Sequence, residues 1–425
     1  VTAVKGPAQG LSYGALGLPL AFVALPLYVV LPNHYATTFG IPLAALGALL
    51  LGARLLDAVA DPWIGQWIDG WFAHSRRRVL AGAAVAAVVV AAGFHALFFP
   101  AVQGTTALLA WCALALAVTY LSYSVLSVLH QAWGARLGGD PAQRSRIVSW
   151  REGLALAGVL VASVLPSLAG LAVSSAVFAA TLAIGLWLLA RAPQPRIGAG
   201  AGHGTAAATF SSMALPLRTP AFRRLLAIYL VNGVASAVPA TLVLFFIRDR
   251  LQAPSYEPLF LASYFAAGAL SMPLWVRAVA RFGLARTWYA GMALAIVTFA
   301  WAVALGAGDV AGFVLVCVAS GAALGADLAV PGALLAGVIR RAGHGDQLEG
   351  AYFGWWNFAT KLNLALAAGV ALPLLSVFGY QPGARDPAAL SALTIAYCVL
   401  PCVLKALAAW LLWTRWVRTE NEDSA

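Results

Sequence analysis

Charge is scarce in this chain. Of 425 residues, 15 are Asp or Glu and 26 are Lys or Arg, so charged residues make up 10% against 62% hydrophobic. A soluble domain carries roughly 25% charged residues, so the composition excludes an ordinary soluble protein. The mean hydropathy of +0.85 says the same. Cysteine is rarer still. Cys112, Cys317, Cys398 and Cys402 stand in apolar runs without His or acidic partners, a pattern that argues against a disulfide framework or a metal cluster. They read as small packed residues, and His95 and His130 as packed or hydrogen-bonded ones. No metal site and no cofactor is expected.

Long apolar runs are what the chain does have. A bilayer-crossing helix needs about 20 apolar residues. On that criterion there are twelve spans, at 11–31, 41–71, 79–100, 105–135, 147–169, 172–191, 223–247, 257–277, 284–306, 309–339, 349–378 and 388–415. The expected fold class is an all-α membrane protein with 12 transmembrane helices. Several runs exceed one crossing, so their ends tilt or project into water. The first run is a full-length span without a small-residue cleavage site after it, so it is not read as a signal peptide.

The net charge of +11 raises the question of nucleic acid. Its distribution answers differently. With the N-terminus inside, the cytoplasmic side receives Lys5, Arg76–Arg78, Arg136, Arg144, Arg146, Arg191, Arg196, Arg218, Arg223, Arg224, Arg277, Arg281, Arg286, Arg340, Arg341, Arg415 and Arg418. This is the positive-inside pattern. The expectation is a multi-pass protein of a bacterial-type inner (plasma) membrane, both termini cytoplasmic, partnered by the lipid bilayer and not by nucleic acid.

Residues 193–222 are rich in Gly, Ala, Ser and Pro and contain no spanning run. They read as a flexible cytoplasmic linker between an N-terminal six-helix half, 1–192, and a C-terminal six-helix half, 223–425. The halves echo each other: Asp61-Pro62-Trp63-Ile64-Gly65 ends span 2 and Met272-Pro273-Leu274-Trp275-Val276 ends span 8. Two parallel repeats imply pseudo-symmetry about the membrane normal, with a solute site between the halves.

A few polar residues interrupt the apolar sequence. Asp57 and Asp61 lie one helical turn apart in span 2 and share a face. A charge near the bilayer centre costs about 3 kcal/mol or more, so two of them read as a place where a cation binds and leaves. The structural alternative is a salt bridge with Arg54, one turn earlier, but two acids and one base stay net negative. Lys361 lies deep in Trp355-Trp356-Asn357-Phe358-Ala359-Thr360-Lys361, where it either meets solute or compensates the aspartates. Lys405 is nearer a helix end and is expected to snorkel. Asp327 shows no local partner. Span 4 is the most polar span, with Tyr120, Ser122, Tyr123, Ser124, Ser127, His130 and Gln131. Arg151 and Glu152 open span 5.

Two resemblances enter here. Gly65-x-x-x-Asp69, followed by Arg76, Arg77 and Arg78, resembles the cytoplasmic gating signature of the major facilitator superfamily, which implies that fold and a conformational latch. The run Arg54-Leu-Leu-Asp57-Ala-Val-Ala-Asp61-Pro62 resembles the cation-site helix of the glycoside–pentoside–hexuronide:cation symporters. Leu11-Ser12-Tyr13-Gly14, Tyr123-Ser124 through Asp140 and Arg144, and Glu349 through Lys361 resemble other segments of that family, in order along the chain. The resemblance implies cation coupling at Asp57, Asp61 and Ser124, and solute contacts from Tyr123, Arg151 and Lys361. The polar residues of span 4 and of the Lys361 run add Ser127, Gln131, Trp356 and Asn357 as solute candidates, and Arg54 is the charge-balancing candidate. The carry-over is partial. Ala60 stands where a family member has an Asn cation ligand, and Ala21 and Ser127 stand where acids grip galactoside hydroxyls. Fewer oxygens weaken a Na⁺ site, while a proton needs a single carboxylate; the balance leans to H⁺, with Na⁺ close behind.

The expected function is a cation- or proton-coupled symporter of a small organic solute, a sugar or glycoside by resemblance, acting as a monomer. The alternative is transport of an amphipathic or lipid-like solute, which the apolar first span and the missing acids favour. A membrane-embedded prenyltransferase needs a second acidic cluster to hold its metal and diphosphate; Asp327 and the pair Asp346/Glu349 do not supply one. A transport-dead scaffold or sensor is the last rival, marked by the absence of solute flux.

Overall fold

A computed structural model describes residues 6–197, 213–377, 379–381 and 383–418. The middle of the expected linker, 198–212, and both chain ends lie outside the described residues. In order, the helices are α1 (Pro7–Gly14), α2 (Gly17–Leu25), α3 (Leu31–Phe39), α4 (Leu43–His74), α5 (Arg76–Phe98), α6 (Thr105–Leu137), α7 (Pro141–Arg191), α8 (Leu215–Arg218), α9 (Pro220–Phe245), α10 (Glu257–Phe282), α11 (Leu284–Ala302), α12 (Val310–Ala329), α13 (Pro331–Arg341), α14 (Glu349–Val377), α15 (Pro387–Thr394) and α16 (Leu400–Leu412). Short π-helical turns at Pro26–Val30, Phe246–Arg250, Ile395–Val399 and Trp413–Val417 extend several of them. Lipid offers no hydrogen bonds to the backbone, so an apolar spanning segment satisfies its own as a helix.

Among the described residues, eight helical segments are long and apolar enough to cross a membrane by length and composition alone. Residues 7–39, α4, α11 and α14 bring the spans to twelve. α7 carries two spans, which part at Gly170 with φ of 80°, a conformation open to glycine. The first span differs from expectation. Helix continues past the apolar run to Phe39, where Gly40 at φ of 67° ends it. Along this polar tail the Thr37 hydroxyl bonds back to its own helix, donating to the Asn33 carbonyl at 2.8 Å.

The chain packs as two compact units, Val1–Thr219 with Ala336–Phe358, and Pro220–Leu335 with Ala359–Ala425. In the first, α2 lies against α7, and α6 against both α4 and α5. Phe22, Phe94 and Phe178 fill its core, with ring centroids 5.7 Å apart for Phe22–Phe178 and 4.8 Å for Phe94–Phe178. α4 shows how a membrane reverses amphipathicity. Leu51, Leu55, Val59, Trp63 and Trp67, every fourth residue, are exposed as a lipid stripe, whereas Ala53, Asp57, Asp61, Ile64, Ile68 and Phe72 are buried on the other face. The acids therefore point into protein.

In the second unit, α10 packs on α12, α11 on α12 and α16, and α9 on α16. Here one expectation is corrected. Lys405 does not snorkel; it is 5% exposed and its Nζ lies 2.7 Å from Asp327 Oδ2. Nζ also donates to Ser236 Oγ at 2.8 Å and Asn232 Oδ1 at 3.1 Å. Asp327 Oδ1 accepts from Trp288 Nε1 at 2.9 Å and Asn232 Nδ2 at 3.2 Å, and Ser236 Oγ donates to Oδ2 at 3.2 Å. An ammonium too deep to reach water takes the partners that neighbouring helices offer, so the lysine and Asp327 complete each other. The network ties α9, α11, α12 and α16 together.

Breaking one side of a buried pair costs about 3–5 kcal/mol, whereas replacing both partners with apolar groups is far cheaper. Lys405→Ala is therefore expected to lower the melting temperature of the purified protein sharply. The Asp327→Leu/Lys405→Met double variant should recover most of the loss. A double variant that is as unstable as the single one would contradict the pairing.

Candidate functional site

The stripe on α4 brings the two acids inward together. Asp57 is 5% and Asp61 0% exposed. Ser124 on α6, fully buried, donates its hydroxyl to Asp57 Oδ1 at 2.6 Å. Arg54 sits against the Tyr120 hydroxyl, one turn before Ser124 on α6. Tyr123 is half-buried and lies in the electrostatic field of Asp57, Asp61, Glu152 and Arg54. Cation-coupling and charge-balancing candidates thus gather at one α4–α6 contact.

Further along α6 the face turns from charged to neutral. Gln131 Nε2 donates to Ser127 Oγ at 3.1 Å and to Asn357 Oδ1 at 3.0 Å, and Asn357 Nδ2 reaches Ser127 Oγ at 3.4 Å. Ser124, Ser127 and Gln131 follow helical spacing on one face. At 1.5 Å per residue, Gln131 is about 10 Å along the axis from Ser124. Three expected solute residues are therefore brought together one to two turns from the acids. Trp356, beside Asn357, is 6% exposed. Arg151 is spent on Glu152, donating Nε at 2.9 Å and Nη2 at 2.7 Å to Oε1. Lys361 is half-buried on the part of α14 that belongs to the second unit.

The gating candidates assemble on a different cation from the one the sequence suggested. Asp69, 8% exposed, accepts from the backbone N–H of Gly350 at 2.7 Å and of Ala351 at 2.8 Å. These are first-turn donors of α14, which lack intrahelical acceptors, and a carboxylate there also suits the helix dipole. Arg136 Nη2 donates to Asp69 Oδ1 at 3.0 Å and lies 3.0 Å from Glu349 Oε2. Its Nη1 donates to the Asp346 carbonyl at 2.7 Å, and its guanidinium covers the Phe72 ring at 4.5 Å. The approach depends on glycine: a Cβ at Gly65 would strike the Gly350 carbonyl, and one at Gly354 the Asp61 carbonyl.

Arg76, Arg77 and Arg78 form no ion pair with Asp69. Arg76 donates to the Ala190 carbonyl and lies over Trp133. The Arg78 backbone N–H is capped by Ser75 Oγ at 3.2 Å, and Arg77 is exposed. Sequence reasoning missed Arg136 and Glu349 as partners. The available signal was an acid in the first turn of a helix and an arginine at the last turn of a polar one.

With this geometry established, comparison with known proteins is direct. The profile described as MFS/sugar transport protein matches residues 12–416. The chain belongs to that family. This agrees with the resemblance to glycoside–pentoside–hexuronide:cation symporters, and the family is one of transporters rather than enzymes. The inner membrane symporter YicJ of Escherichia coli is 30% identical over 159 residues, 37% of this chain and 33% of that protein. The aligned stretch therefore spans about a third of that relative's length. Among solved structures, a bacterial homologue of the iron transporter ferroportin in an outward-facing state superposes with a TM-score of 0.71 at 18% identity, over 96% of this chain and 98% of that one. The E. coli fucose:proton symporter FucP gives 0.65 at 13% identity, over 94% and 97%. At such identities the likeness shows the major facilitator fold.

Arg136→Ala is expected to leave Asp69 and Glu349 buried without their guanidinium, at a cost of about 3–5 kcal/mol. Limited proteolysis should then cut the turn at 342–348 faster than in the parent protein. Arg136→Lys should rescue less than half the effect, because an ammonium cannot fork to both acids and the carbonyl. Unchanged proteolysis in the alanine variant would contradict the assignment.

Proposed function

We propose that the protein is a cation-coupled symporter of a small organic solute, working by alternating access in a bacterial-type inner membrane with both termini cytoplasmic. The observation that carries this reading is the buried pair Asp57/Asp61 with the Ser124 hydroxyl on Asp57, in a member of the MFS/sugar transport family. Two carboxylates on one face of a membrane helix repel each other and are costly to keep out of water. A cation or proton on the pair removes that penalty. Arg54 balances charge while the site waits.

The coupling ion is proposed to be H⁺. Ala60 supplies no side-chain oxygen, and Ser124 is the hydroxyl that reaches Asp57. A hard metal cation asks for several oxygens; a proton asks for one.

Ser127, Gln131 and Asn357 are neutral donors and acceptors in one cluster. They suit the hydroxyls of an uncharged, hydroxylated solute, a sugar or glycoside being the class the family favours. Tyr123 and Trp356 supply aromatic surface. An amphipathic solute is the second reading. It is favoured by Ala21 and Ser127, which stand in place of acids, and by the apolar sequence of α2. Each ligand raises the affinity for the other, because both favour the same state. Asp69 and Arg136 hold α14 at the cytoplasmic end in one of the alternating states.

In proteoliposomes, Asp57→Asn is expected to abolish uphill solute accumulation driven by a pH gradient while leaving downhill exchange. Ser124→Ala removes a hydrogen bond that favours the ionised carboxylate and should lower the half-saturating proton concentration about tenfold. Accumulation that survives in Asp57→Asn would sink the mechanism.

A further inference from the structure

A cavity of about 140 Å³ lies in the second unit, lined from α9, α10, α11, α12 and α16, and none of the residues placed in the carboxylate site lines it. Its walls include the aromatic side chains of Phe260, Tyr264, Phe299 and Tyr397, and at its polar end stand Ser236, Asp327 and Lys405. Those charges are already spent. The three N–H groups of Lys405 go to Asn232, Ser236 and Asp327, and Asp327 accepts two bonds on each oxygen. A charged ligand would find no unmatched charge to repay its desolvation. An uncharged one loses little on entry.

Two phenols shape the choice further. Tyr264 and Tyr397 line the space, and neither hydroxyl makes a hydrogen bond among the described residues. A tyrosine hydroxyl facing such a space can still donate to a molecule that enters it. The Tyr397 ring is fixed by stacking on Phe246, centroids 4.2 Å apart, so it does not turn freely to seek one. Size sets the scale at a single ring. An apolar cavity of about 150 Å³ takes a molecule of benzene size.

We propose that this cavity binds one uncharged, ring-sized molecule bearing a hydrogen-bond acceptor, of the aryl ketone or ester class. The ring lies among the aromatic side chains and the acceptor meets the tyrosine hydroxyls. The site is independent of the transport reading, since it uses none of its residues.

The test is direct binding of tritiated acetophenone to the purified full chain by scintillation proximity. One saturable site per chain is expected. Ethylbenzene, of like size but without an acceptor, should compete at least about fivefold less well, the factor one hydrogen bond confers. The Tyr264→Phe/Tyr397→Phe double variant preserves ring shape and should lose that preference. Ala295→Leu, which narrows the cavity, should lose saturable binding. Absence of saturable binding in the parent protein would overturn the proposal. So would an unaltered preference in the phenylalanine variant, which decides the matter even if Ala295→Leu fails to fold.

Discussion

Removing a carboxylate from water is the constraint on which this structure turns. The chain carries few acids, and Asp57, Asp61, Asp69, Asp249 and Glu349 are nevertheless buried. Each must be met by donors, by a cation, or by a ligand. Asp69 is met by two backbone N–H groups and Arg136. Asp249 accepts from the Tyr380 hydroxyl and the Gly383 N–H at 2.5 and 2.9 Å. Asp327, at the edge of its cavity, is met by Lys405 and a ring of neutral donors. These acids hold helices in place. The pair on α4 differs in kind: two buried acids share one face, and a serine hydroxyl meets one of them.

The same constraint places the helices. α4 can bury its acids because its opposite face gives Leu51, Leu55, Val59, Trp63 and Trp67 to lipid. α14 can present its N-terminus to Asp69 because Gly65, Gly350 and Gly354 remove the side chains that would keep the backbones apart. Small residues let backbones approach where lipid supplies no hydrophobic drive. Coupling and gating candidates thus occupy one helix: Asp57 and Asp61 above, Asp69 two turns on.

Much of this was legible in the residues. Apolar length gives the spans, because lipid leaves helix as the economical backbone state. Spacing of four gives the acid pair, and the run from Arg54 to Pro62 carries the family. Ser127, Gln131 and Asn357 were named singly, and the fold joins them. The illegible part involves partners on different helices. Lys405 and Asp327, or Asp69 and Arg136, share no local spacing, so neither pair is visible before helices pack. The reading of Arg76, Arg77 and Arg78 as partners of Asp69 shows the limit: proximity in sequence pointed to the loop, while Arg136, at the end of α6, occupies the position.

The central claim is that solute movement is coupled to a cation carried at Asp57/Asp61. The most direct measurement is charge movement on solid-supported membranes carrying the reconstituted protein, challenged with glycosides, uronides and lysolipids at two pH values, with and without Na⁺. The account predicts a solute-evoked current that depends on pH and disappears in Asp61→Asn. A current of equal size in that variant, or flux of an uncharged solute that moves no charge at any pH or Na⁺ concentration, would contradict it.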